Sequence, residues 1–268
     1  MSRDLVRDMA TAPRFRPLFT GPADKYDRFM GKYSRPLAPL FCDFAGVEAA
    51  MRVLDVGCGP GALVAELVRR VGAENVTAVD PAEQFVAAAQ ARNPGVDVSR
   101  ASAEELPFGD DEFDAALAQL VVHFMTDPVA GLGELRRVAR QGGGVAACVW
   151  DHGGGEGPLS PFWNAVHELD ADAPDESRMA GARRGHLTEL FGEAGIEDVD
   201  ETSLAVTVPH ATFDEWWEPF TFGVGPGGAY LAALDAERQA EVRERCRAML
   251  GSGPVTITAR AWAARGRA

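Results

Sequence analysis

The sequence lacks several features, and each absence excludes a class of protein. No uninterrupted apolar stretch reaches about 18 residues, so there is no candidate membrane-spanning helix. The four cysteines, Cys42, Cys58, Cys148 and Cys246, are far apart and form no C-x-x-C pair. Neither a zinc site nor a disulfide framework is signalled, and reduced, mostly buried thiols are expected. No Lys/Arg run is longer than two, and the net charge is -14. Surfaces that bind nucleic acid normally need a basic patch, so DNA and RNA are not expected partners. The first thirty residues carry "RDLVRDMATAPRFRP", without the apolar centre of a secretion signal. A cytoplasmic protein with no membrane partner is expected, as a monomer or homodimer.

What is present is ordinary globular composition, 46% hydrophobic and 25% charged over 268 residues. There is no repeat and no low-complexity tract. From residue 52, short apolar runs alternate with amphipathic stretches: "RVLDV", "GALVAELVRRV", "VTAV", "AEQFVAAAQAR", "VDVS", "FDAALAQLVV", "PVAGLGELRRVAR", "GVAACVW". This βαβα rhythm predicts an α/β fold, a mostly parallel sheet with helices on both faces. Leu63, Val64, Leu67, Val68 and Val71 form the stripe expected to pack on the sheet. After Trp150 the pattern changes. Helices are expected over "SPFWNAVHELD" and "RRGHLTELFGEAG", strands over "EDVDETSLAVTV" and "GPVTITARAWAARGR", and about forty residues of aromatic-rich helix between those two strands.

The loop "VLDVGCGPGAL", residues 53–63, contains G-x-G-x-x-A, and Asp80 follows 23 residues after Gly57, as in a dinucleotide-binding fingerprint. Gly57, Gly59 and Gly61 permit a tight turn and close backbone approach to a ligand. Two residues point away from a pyrophosphate. Asp55 at the strand end repels one and attracts an ammonium group. Pro60 removes a backbone N–H from the region where phosphates are held. Asp80 suits a ribose diol in either case.

"VLDVGCGPG", "VTAVDPAEQF", "ASAEELPFGDDEFDAALAQLVVHFMTDP" and "ELRRVARQGG" resemble the successive motifs of class I S-adenosylmethionine-dependent methyltransferases. The resemblance is to the branch that includes the quinone-biosynthesis methyltransferases. It covers about residues 25–150 in detail. It implies a Rossmann-like sheet of seven strands with the last antiparallel, and S-adenosylmethionine as cofactor. By the same resemblance Asp55, Gly57 and Gly59 hold the methionine part, Asp80 the ribose, and Phe85 packs on the adenine. Ser102 stands where relatives carry an aspartate that accepts from the adenine amino group, which shifts weight to the backbone of Ala103. Gln119 and Leu120 match the end of the fourth strand, against the cofactor. "KYDRFMGKYSRPLAPLF" resembles a helix that closes over the cofactor, with Tyr26, Met30 and Arg35 as candidate contacts. The implied organisation is a helical lid over 1–45 and a methyltransferase domain over 46–268. Cap insertions are expected at about 156–184 and 211–251.

Methyl transfer from a sulfonium needs alignment above all, which supplies about 7–11 kcal/mol, and a general base adds about 10²–10⁴-fold where the nucleophile carries a proton. His123, just past the fourth strand, and His152, just past the fifth, are the candidate bases. Trp150, Trp163, Phe220 and Tyr230 are the candidate substrate contacts in an aromatic wall. The acidic run Asp110, Asp111, Glu112 and Asp114 reads as a solvated loop, and no metal is expected. The expected reaction is methylation of O, N or C on a small, largely apolar metabolite, aromatic, quinone-like or polyketide-like. The alternatives are an NAD(P)-dependent oxidoreductase, or a cyclase or binding protein that keeps the cofactor without methylating.

Overall fold

The protein is described from a computed structural model over residues 23–268. The lid expected at 1–45 therefore lies in part outside the described residues. Its visible portion is a continuous helical rod: α1 (Ala23–Tyr26), a π-helical stretch (Asp27–Gly31) and α2 (Lys32–Ala45). A π stretch widens the helix locally and is often found beside a functional site. Here it carries Phe29 and Met30, both buried. Leu37 and Phe41 of α2 are buried on the next turns, and Arg70 fixes the rod to the helix beneath through Asp43 and the Pro39 carbonyl.

Seven strands follow, β1 (Val53–Val56), β2 (Val76–Asp80), β3 (Asp97–Arg100), β4 (Phe113–Gln119), β5 (Ala139–Trp150), β6 (Glu197–His210) and β7 (Val255–Arg267). They form one sheet in the order β3-β2-β1-β4-β5-β7-β6. Neighbours up to β5 are parallel, and β7 runs antiparallel between β5 and β6. The crossover helices are α3 (Ala62–Val71), α4 (Glu83–Arg92) and α5 (Pro128–Val138), the last capped by the Asp127 side chain. Beyond β5 come α6 (Ser160–Leu169), α7 (His186–Glu193), α8 (Phe213–Trp217), α9 (Gly225–Ala233) and α10 (Ala236–Leu250).

Strand alternation sorts the core into two layers. Val53, Leu117, Cys148 and Trp150 face α2, α3 and the aromatic cap; Leu54, Val56, Ala147 and Val149 face α5 and α7. Asp55 lies between Leu54 and Val56, so it belongs to the lid side. On α3 the expected stripe packs inward, with Leu63, Val64, Leu67 and Val71 buried and Val68 partly so. One boundary differs from the sequence reading. The helix expected to run through "RRVAR" stops at Val138, and β5 begins at Ala139, because Ala139 pairs with Phe113 before the chain bulges at the glycines and resumes at Gly144. All four cysteines are buried free thiols.

Candidate active site

Strand order reverses between β1 and β4, and in open α/β sheets that switch point is where ligands bind, beyond the carboxyl ends of the strands. The glycine loop occupies this position. Gly57 and Cys58 both donate to the carbonyl of Val79, folding the loop back on β2. Gly57 has φ +74, and a Cβ there would lie 2.3 Å from Val121 Cγ2, so glycine is required by conformation and by space.

Asp80, at the end of β2, accepts Gly59 N–H at 2.9 Å on one oxygen and Ala82 N–H at 2.8 Å on the other. Each oxygen keeps a lone pair for a further donor, which suits a diol. Burial pushes Asp80 up to about 6 against the opposing pull of those two backbone donors. Asp55 is more extreme. It is 1% exposed, and among the described residues neither carboxylate oxygen has a hydrogen-bond partner. Burial, and then the charge of Asp80, push it up to about 8. An unpaired buried carboxyl beside a backbone cradle suits a cationic group, whose charge would favour its ionised form, better than a pyrophosphate. The residues therefore fit S-adenosylmethionine: Asp55 for the ammonium group, the loop glycines for close approach, Asp80 for the ribose.

Phe85, the residue expected to meet the adenine, is buried and packs on Tyr26 of the N-terminal helical rod, with ring centroids 5.2 Å apart. Burial, followed by the charges of Asp80 and Asp27, raises the Tyr26 hydroxyl far above its usual range, as expected for a tyrosine near Asp80. The Ser102 hydroxyl donates to Glu104, whose other oxygen accepts Thr126 N–H, so Ser102 is tied into its own turn and Ala103 follows it in that turn. Gln119, the last residue of β4, donates to the Ser34 carbonyl of the lid helix. Leu120 follows with φ +62, a left-handed conformation that a leucine adopts only under constraint, and its amide is held by the Cys148 carbonyl. Arg35 does not line the cavity described next. Its side chain is 60% exposed and pairs with Asp27 at 3.2 Å. Asp27 in turn pairs with Arg92, which donates to the Pro60 carbonyl, so the N-terminal helical rod is tied to the glycine loop.

Beyond the ends of β4 and β5 lies a cavity partly open to solvent. Phe29, Met30, Leu120, Trp150 and Leu159 form much of its wall, and His123, His152 and Glu176 are its titratable lining apart from Tyr26. Both candidate histidines are thus brought together, with ring centroids 5.9 Å apart. Among the described residues His123 Nδ1 and His152 Nε2 have no hydrogen-bond partner. Burial holds His123 well below the usual range and His152 at about 4, so both imidazoles are neutral at pH 7. Glu176, which no sequence pattern singled out, is pushed up to about 8 by burial.

The aromatic candidates divide. Trp150 lines the cavity. Phe220 and Tyr230 do not: Phe220 stacks on Phe162 at 4.6 Å and Tyr230 packs edge-on against Trp163 at 5.4 Å, in the cap's own core. Trp163 is set behind the wall and donates its indole N–H to Glu176 at 2.5 Å. Three members of the acidic run are in ion pairs: Asp110 with Arg137, Glu112 with Arg52, and Asp114 with Arg140. Among the described residues no cluster of His, Cys, Asp or Glu is arranged to hold a metal ion, and no helix is long and apolar enough to cross a membrane.

The strand order, the glycine cradle and the two acids at the ends of β1 and β2 define a class I S-adenosylmethionine-dependent methyltransferase fold, and the chain belongs to that family. Residues 54–147 match the family described as a methyltransferase domain. An uncharacterised protein of Mycobacterium tuberculosis is 30% identical over 235 residues, 81% of this chain and 82% of that one. The 2-methyl-6-phytyl-1,4-hydroquinone methyltransferase 2 of Oryza sativa is 34% identical over 152 residues, 56% of this chain and 40% of that one. The YcgJ protein of Bacillus subtilis superposes with a TM-score of 0.56 at 19% identity, covering 86% of this chain and 97% of that one. The cofactor is S-adenosylmethionine, which supplies, when bound, a methyl group on a positively charged sulfur.

Proposed function

We propose that the protein methylates O, N or C of a small, largely apolar metabolite, aromatic, quinone-like or polyketide-like, held in the cavity beyond β4 and β5. The observation that carries the reading is the lining: an apolar and aromatic wall with three titratable groups on one side, next to the strained Leu120 turn that ends β4. Pockets for small organic ligands have this composition. The rice relative that acts on a hydroquinone supports the aromatic class. Phe29 and Met30 exclude water from above, and His123 and His152 stand ready to accept a proton where the nucleophile carries one.

Incubation with methyl-labelled S-adenosylmethionine and a panel of phenols, amines, hydroquinones and enolisable ketones tests this. Labelled product together with stoichiometric S-adenosylhomocysteine is the expected result. Tight donor binding with transfer to none of the panel would refute methylation and favour a cyclase or binding role.

A further inference from the structure

Glu176 stands between α6 and α7 in "ADAPDESRMAG", a stretch whose composition marks solvated turns. Its side chain is nevertheless 3% exposed and reaches the cavity wall. Burying a carboxylate is costly unless it is hydrogen-bonded. Two groups meet it on one oxygen: Trp163 donates its indole N–H to Oε2 at 2.5 Å, and His152 Nδ1 lies 3.8 Å from the same atom. The far side of the His152 ring, Nε2, is buried and without a partner among the described residues. The result is a chain running from indole through carboxylate and imidazole to an unpartnered nitrogen. The 3.8 Å step exceeds a hydrogen bond, and such contacts commonly tighten only in the reactive complex.

We infer that Glu176 is a positioning residue that accepts the Nδ1–H of His152 and presents Nε2 as the proton acceptor, so the cavity is matched to a hydroxyl-bearing acceptor, a phenol or an enol. The inference rests on the methyl-transfer reading above. In the step it describes, the acceptor O–H bond breaks as an O–CH₃ bond forms and the sulfur–methyl bond breaks. The proton goes to His152 Nε2, the electron pair of the broken bond stays on sulfur, and the Glu176 carboxylate balances the new imidazolium. His123 Nδ1, the second unpartnered nitrogen, offers an anchor for a neighbouring oxygen of the acceptor.

The device is pH-dependent. A protonated Glu176 donates to Nδ1 and leaves the hydrogen on Nε2, the wrong tautomer for a base. An ionised Glu176 reverses this, so base capacity appears as pH rises through about 8. The other groups facing the pair are His123 after β4, Tyr26 on the lid and Asp175 on the cap loop, where Ser177 binds the Asp175 carboxylate.

The test uses the whole protein with ¹⁵N-labelled histidine, as wild type, Glu176→Gln and Glu176→Asp, with S-adenosylhomocysteine affinity as the check on folding. In the wild type the His152 tautomer is expected to switch near pH 8. Glu176→Gln should abolish the switch and lower kcat on phenols at least tenfold with the cofactor affinity within twofold, and Glu176→Asp should restore part of the rate. An unchanged tautomer switch in Glu176→Gln, an unchanged kcat and pH limb, or faster methylation of amines than of matched phenols would overturn the inference. Labelled methyl reaching no acceptor while the switch is present would mark failure of the methyl-transfer reading itself, and the hydroxyl assignment falls with it.

Discussion

Replacing Asp55 by asparagine should stabilise the free protein and weaken its hold on the cofactor. The carboxyl is fully buried, has no hydrogen-bond partner among the described residues, and titrates at about 8 in the folded protein against ~3.9 in an unfolded chain. Because the folded state binds this proton more tightly, stability falls as pH rises between those two values. Each pH unit costs about 1.4 kcal/mol, so folding at pH 7 must retain a proton at an expense on the order of 4 kcal/mol. Asparagine is isosteric with the protonated acid and never ionises. Urea denaturation at pH 5 and 7 should therefore show a stability gap in favour of Asp55→Asn that widens with pH, from on the order of 1 kcal/mol to on the order of 4 kcal/mol. The opposite sign is expected for binding. Loss of the charge-assisted contact to an ammonium, about 1.5–3 kcal/mol, should weaken S-adenosylhomocysteine roughly 10- to 150-fold by calorimetry. A variant no more stable at pH 7, or a gap that does not widen with pH, would refute the argument from burial. Unchanged cofactor affinity would refute the ammonium assignment.

Gly57→Ala places a Cβ 2.3 Å from Val121 Cγ2 at φ +74, and conformational strain plus overpacking of about 2–5 kcal/mol should lower Tm by at least about 5 °C in a thermal melt. Asp80→Asn turns an amide NH₂ toward either Gly59 N–H or Ala82 N–H, donor against donor, and should cost about 1–3 kcal/mol of stability along with at least tenfold in cofactor affinity. Tyr33→Phe removes the hydroxyl 3.0 Å from His210 Nε2 and leaves that buried ring without a hydrogen-bond partner among the described residues. Hydrogen exchange should then rise across α2, with a loss of about 1–3 kcal/mol; unchanged protection would show that the pair does not hold the lid.

The cofactor half was legible because its determinants are local. A glycine that must turn, an acid at a strand end and a second acid at the next strand end sit at fixed offsets from strands whose apolar runs are plain to read. Asp55 and Pro60 carry the expectation of an ammonium ligand over a pyrophosphate, and the structure shows the Asp55 carboxyl buried with neither oxygen paired among the described residues. The acceptor half was legible only in outline. Composition marked an aromatic-rich helical stretch between the last two strands, but composition does not say whether a ring meets a ligand or other rings, and Phe220 and Tyr230 turned inward to Phe162 and Trp163. Glu176 left no signal, since its burial is created by Trp163, thirteen residues earlier on another element, and not by any pattern in its own loop. The start of β5 was misplaced because its pairing with Phe113 is non-local.

The lid helix carries a kinetic consequence. Tyr26 packs on Phe85 near Asp80, while Phe29 and Met30, within the next turn of the same rod, wall the cavity that His123 and Trp150 also line. Both compartments thus share one roof. On the methyl-transfer reading, spent donor and finished product are expected to leave through a common motion, whose frequency would set one ceiling on turnover for every acceptor the cavity admits.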